Sequence, residues 1–207
     1  MRLQAEATTW LIDRKIDVQY DVAYWLRKDL FSVEASELTA LTVQVPGGRA
    51  MKLVRKMAKH DHSQHAEHAS SMMSNEFESG FILTNPSQPD AQVVDAELQQ
   101  MVNALSSFQL LDVEPAVAAT KLKPTMQAEF YLLRDIKLKL SGYESEKDKY
   151  IKIEASVSAG ADTAAKDWVS DINARVQGWL FKIPAVSYDA INKSEADVLA
   201  ITVDQLN

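Results

Sequence analysis

The sequence predicts an α+β fold in which antiparallel sheet-and-helix units are repeated about twice, each with an amphipathic helix packed on a small sheet. Three observations predict it. Leu41, Val43 and Val45 alternate with Thr42 and Gln44, the period-2 signature of a half-buried strand. Leu98, Met101, Val102, Leu105 and Phe108 then recur at helical spacing, an apolar stripe that would pack on such strands. The same recipe returns in the second half, where Ile136, Leu138 and Leu140 alternate with lysines ahead of a second helical stripe.

Taken in order, Thr8 to Val18 carries Trp10, Leu11, Ile12 and Ile16 and reads as a strand without an evident partner. Asp21 can cap a short helix with Val22, Trp25 and Leu26 on one side. After the Leu41–Val45 strand, Pro46-Gly47-Gly48 makes a turn, because glycine supplies the positive φ that a tight hairpin demands. Met51, Leu53 and Arg55 form the returning strand. Strand character resumes at Phe81-Ile82-Leu83-Thr84, so the three segments form a meander interrupted by an insertion over 57–79. A loop at Asn85–Pro89 precedes the first helix, and Val113 to Pro124 reads as a connector between halves. In the second half, strands at Phe130–Leu133 and Ile136–Leu140 lead into a polar loop from Ser141 to Lys149. Ile151, Ile153, Ala155 and Val157 form the return strand. A helix from about Asp162 to Gly178 aligns Ala165, Trp168, Val169, Ile172, Val176 and Trp179, and Pro184 ends that region. Length suits one or two domains, and the natural division is 1–113 and 114–207. The expected core is Leu41, Val43, Leu53, Leu98, Val102, Leu105, Ile153, Trp168, Ile172 and Trp179.

Composition narrows the function classes. The 207 residues are 46% hydrophobic with a net charge of -7, which suits a globular core and disfavours phosphate backbones and anionic lipid. Nucleic acid is therefore not an expected partner. Without cysteine there are no disulfides, thiolate metal sites or thiol nucleophiles. No stretch approaches the roughly 20 apolar residues of a membrane helix, and the opening residues lack a signal-peptide core. As written, the chain would stay in the cytoplasm. The glycines form no phosphate-cradling loop, and carboxylate pairs such as Glu34 with Glu37 or Asp167 with Asp171 read as surface charge.

An internal similarity links Val33–Val43 with Ser194–Val203, each an acidic turn feeding an alternating segment, with a Trp-Leu pair upstream (Trp10-Leu11, Trp179-Leu180). It gives the expectation that the chain is an excerpt of a longer repeated protein. Trp10-Leu11-Ile12-Asp13-Arg14, the Trp25–Leu30 helix and the Val33–Val45 strand entry carry a family resemblance. So do Gly80-Phe81-Ile82-Leu83, the Ala96–Leu105 helix and the closing Val176–Pro184 run. In this order they resemble the bacterial family labelled domain of unknown function 4340. The resemblance implies repeated α+β units, often placed outside the cytoplasmic membrane behind an amino-terminal anchor, and no established reaction. Against the family pattern, the expectation is that the anchor and much of the first unit fall outside this sequence and that its 57–79 segment is longer and more histidine-rich than the usual hairpin.

All four histidines, His60, His62, His65 and His68, fall within nine residues. Neutral imidazole is a good ligand for copper, zinc and nickel. If the segment turns helical, His62, His65 and His68 share one side, with Asp61 and Glu67 as further donors and Met57, Met72 and Met73 nearby. A solvated insertion between strands has the same composition. With every histidine there, a Ser-His-Asp triad has no imidazole on a rigid scaffold. Two readings carry named features: a non-catalytic binding or scaffold module with protein partners, part of a larger envelope-associated protein, or a metal-handling protein that holds a divalent transition metal in the histidine segment. An enzyme whose site no motif marks is a third, with no residue to nominate.

Overall fold

In a computed structural model, residues 30–31, 33–56, 80–89, 91–106 and 108–200 are described. They form one eight-stranded sheet with helices, a mixed α+β architecture. The strands are β1 (Leu38–Gln44), β2 (Met51–Arg55), β3 (Phe81–Thr84), β4 (Asp112–Pro115), β5 (Pro124–Leu132), β6 (Ile136–Ser145), β7 (Asp148–Val157) and β8 (Trp179–Ile183). Their order is β3-β2-β1-β5-β6-β7-β8-β4, and every neighbouring pair is antiparallel. The helices are α1 (Asp95–Asn103), α2 (Thr163–Val176), α3 (Ala185–Ile191) and α4 (Glu195–Val198).

Alternation decides which side is wet. Met126, Ala128, Phe130 and Leu132 of β5 join Leu138 and Leu140 of β6 and Ile151, Ile153 and Ala155 of β7 in one core. Leu98, Met101 and Val102 of α1, Val169, Ile172 and Val176 of α2, and Tyr188 of α3 complete it. The opposite face carries Gln127, Glu129, Lys137, Lys139, Lys152 and Glu154, none of them buried. A smaller cluster of Ala119, Tyr143, Tyr150 and Leu180 sits on that second face, beneath the 3₁₀ turn Ala116–Lys121. Gly142 has a packing reason: a Cβ there would lie 2.7 Å from the Tyr188 hydroxyl and 2.8 Å from Met126 Cε.

The β1–β2–β3 meander forms as expected, with Gly47 at φ 76 in its first turn. Eight of the ten expected core residues are buried; Trp168 is half-buried and Trp179 is 43% exposed. Trp179 leaves the core because the helix stops at Val176. Gly178, at φ 85, redirects the chain and Trp179 opens β8. Leu105 and Phe108 are buried although α1 ends at Asn103, Phe108 by stacking on Phe31 with centroids 5.5 Å apart. Most of the expected loop at 141–149 is strand, since β6 and β7 pair through Ser145↔Asp148. Its polar residues hide a Tyr143↔Tyr150 pair that the second cluster buries.

The expected connector contains β4, which crosses to the far end of the sheet and pairs with β8. The division at 113/114 thus falls inside a strand, and one sheet draws on both halves. Pro184 precedes a helix, as the N-cap of α3. Ser194–Val198 forms a capped helical turn with Leu199 extended against Val93. Glu34–Glu37 has the same reciprocal capping box before β1, so the similar segments begin alike. The Trp10 strand, the Trp25 helix and residues 201–207 lie outside the described residues.

Candidate functional site

His60, His62, His65 and His68 also lie outside the described residues. Among the described residues, no group of three or more His, Cys, Asp or Glu side chains is gathered to hold a metal. No helix among them is long and apolar enough to cross a membrane.

Among the described residues, the most displaced titrating groups serve the fold. Burial pushes the Tyr188 phenol up to about 12, and its hydroxyl shares a hydrogen bond with Thr125 beside Gly142. Burial, and then donation to Glu114 Oε1 at 3.0 Å, pushes Tyr150 up to about 12. The Arg134 guanidinium holds Asp162 down at about 2, and Asp162 also caps α2 by accepting from the Ala165 amide at 2.7 Å. These three sit in the core, in the second cluster and at a helix start. No cleft brings them together for acid–base work.

What distinguishes one region from another is the treatment of sheet edges. An unpaired edge offers a row of N–H and C=O groups to any extended chain. At β4, Glu114 and Ala116 fall in the hydrogen-bonded register with Leu180 and Gly178, so Val113 and Pro115 point their backbone groups outward. Proline has no N–H to offer, and the Val113 amide donates to its neighbour's Asp112 Oδ1 at 2.8 Å. That edge is closed to a donor–acceptor ladder. β7 outruns β8, which pairs only with Lys149–Ile151. Beyond the pairing, Asn173 of α2 accepts from the Ala155 amide at 2.9 Å and donates to the Ala155 carbonyl at 2.8 Å. One side-chain amide thereby stands in for a strand.

β3 is treated differently. Lys56 donates to the Gly80 carbonyl at 2.9 Å, which sets the alternation: Gly80, Ile82 and Thr84 bond inward to β2, and Phe81 and Leu83 point their backbone groups outward. Among the described residues, nothing pairs with those outward groups. The strand has no proline and no charge, and Ile82 is 45% exposed.

The β1–β2–β3 segments themselves are basic, although Glu195 accepts from Ser87 just past β3 and Glu34 and Glu37 cap the turn before β1. Across 38–56 and 80–89 the sequence carries Arg49, Lys52, Arg55 and Lys56 and no acidic residue, within a chain of net charge -7. The Arg55 guanidinium lies 4.8 Å from the Phe81 ring centroid and donates to the Leu38 and Ala35 carbonyls. A shallow groove beside it is lined by Ala35, Ser36, Gly80, Phe81, Gln99 and Val102.

Comparisons of the chain with protein-family models, curated proteins and solved structures return no match. The functional reading therefore rests on residues. Sequence reasoning had β3 as a strand but missed its position at the edge. It also missed the Asn173 clamp, whose one signal was an amide inside an otherwise amphipathic helix.

Proposed function

We propose that the chain is a non-catalytic protein-interaction module that receives an extended strand from a partner protein along the outer edge of β3. The observation that carries this reading is the contrast in edge treatment. The outward amides of β4 are taken or missing and the Ala155 ladder at the end of β7 is filled by Asn173, whereas among the described residues nothing fills the apolar β3 ladder. Main-chain hydrogen bonds give such strand addition its affinity, and alternate side chains give it selectivity. The resemblance to the domain of unknown function 4340 family supports a place within a larger envelope-associated bacterial protein built from repeated units. The element order strand-strand-strand-helix-strand, met in β1 to β4 and again in β5 to β8, supports the repeat.

The test is site-specific photo-crosslinking in the native host, with a crosslinking amino acid at Ile82 or, in a second protein, at Val113. Adducts from position 82 and none from 113 are expected. Equal patterns at both positions would sink the reading.

A second reading keeps the metal. The clustering of His60, His62, His65 and His68 supports binding of copper(II) ahead of zinc or nickel, and weaker binding as pH falls through about 6.5. Calorimetric titration of copper(II) into the wild type and into a variant with all four histidines changed to alanine decides it. Equal, negligible heats dispose of the site.

A further inference from the structure

We infer that the strand received by β3 is acidic, with two carboxylates four residues apart flanking an apolar residue; this rests on the strand-addition reading above. The solvent face of β2 and β3 carries a row of alternating side chains. β2 places Lys52 opposite Thr84, Val54 opposite Ile82 and Lys56 opposite Gly80. Along the edge the pattern is cation, apolar, cation, spread over roughly 13 Å at strand rise.

Both edge residues beside the lysines are small. A Cβ built on Gly80 would lie 3.5 Å from Lys56 Cδ and 3.8 Å from its Nζ, so the ammonium rests over the glycine, against the edge. Thr84 donates to the Lys52 carbonyl at 3.0 Å and leaves the longer lysine to reach past it. Lys52 and Lys56 are exposed, and neither is ion-paired among the described residues. A strand added to β3 would set one residue opposite Ile82 and its i−2 and i+2 neighbours opposite Thr84 and Gly80. Valine or isoleucine suits the first position and glutamate or aspartate the other two.

A second copy is a poorer occupant. Pairing β3 with itself about a two-fold axis would gather both copies' lysines along one row, and like charges across strands destabilise. The chain's own acidic edge, Asp112-Val113-Glu114-Pro115, has its carboxylates two residues apart and its outward amide already taken.

The experiment titrates two synthetic peptides, Thr-Glu-Thr-Val-Thr-Glu-Thr and Thr-Lys-Thr-Val-Thr-Lys-Thr, into the full chain and follows its backbone amides by NMR. The glutamate peptide should shift the Phe81 and Leu83 amides and bind about tenfold tighter than the lysine peptide at low salt. A Lys52→Ser/Lys56→Ser variant should erase that preference. Equal binding of both peptides at these amides would overturn the acidic inference and leave strand addition standing. No shift with either peptide would overturn both. Binding gained only when residues 57–79 are replaced by a short Gly-Ser linker would show the chain's own segment as the occupant, and would also overturn the proposal.

Discussion

β3 and β4 are each four residues long, and each closes one end of the same sheet. They differ in what they offer a passing chain. β4 reads Asp-Val-Glu-Pro: its outward positions hold a proline and an amide already given to Asp112. β3 reads Phe-Ile-Leu-Thr, and its outward amides meet no acceptor among the described residues. What β4's composition suppresses is further pairing. The lesson is that edge chemistry, more than burial, separates the two ends of this sheet among the described residues.

The largest expected effect breaks the platform that both edges share. Leu105 is 1% exposed, and Leu105→Ala should cost about 2–5 kcal/mol by leaving a cavity. An unfolding midpoint that does not move would contradict the packing described for α1 and the loop after it. Next comes the clamp on β7. Asn173→Ala strips the Ala155 backbone of both partners, with an expected cost of about 1–3 kcal/mol. It should also promote self-association by sedimentation velocity, since a second ladder is then exposed. If association stays at the wild-type level, the clamp stabilises α2 against the sheet without guarding an edge.

A smaller effect on stability, within about 1 kcal/mol, is expected of Asp112→Ala with Pro115→Ala. That pair restores two outward amides to β4 and should make it behave more like β3, again read as self-association relative to wild type. The smallest effect is acid-linked. The folded-state pKa of Asp162 lies below its unfolded value, chiefly through Arg134 and then the Ala165 amide. Its contribution is therefore fully present above about pH 4 and is lost as pH falls toward about 2. Thermal melts between pH 5 and pH 2 should lose less stability in Asp162→Asn than in the wild type. Equal losses would remove the capping carboxylate from the account.

Much of the sheet was legible because its strands alternate cleanly, as Leu138 and Leu140 do against Lys137 and Lys139. What misled was local composition where long-range pairing prevails. Ser141 to Lys149 looks polar enough for a loop, yet Tyr143 and Tyr150 meet across the ladder and bury each other under the Ala116–Lys121 turn. Trp179 fits a helical stripe by spacing, but Gly178 breaks the helix first. The candidate site was least legible of all. Whether Phe81–Thr84 is interior or edge depends on where β4 goes, and no local pattern announces that Asp112–Pro115 crosses to β8. The clustered histidines were conspicuous in the sequence, and they lie outside the described residues.

The central claim, that β3 is an open ladder and the β7 extension a closed one, is tested most directly by residue-resolved amide hydrogen exchange on the unliganded chain. Phe81 and Leu83 should exchange nearly as fast as unstructured amides. Ile82 and Thr84, bonded inward to β2, should be protected, as should Ala155 beneath Asn173. Protection of Phe81 and Leu83 equal to that of Ile82 and Thr84 would mean the edge is already covered, and would contradict the account.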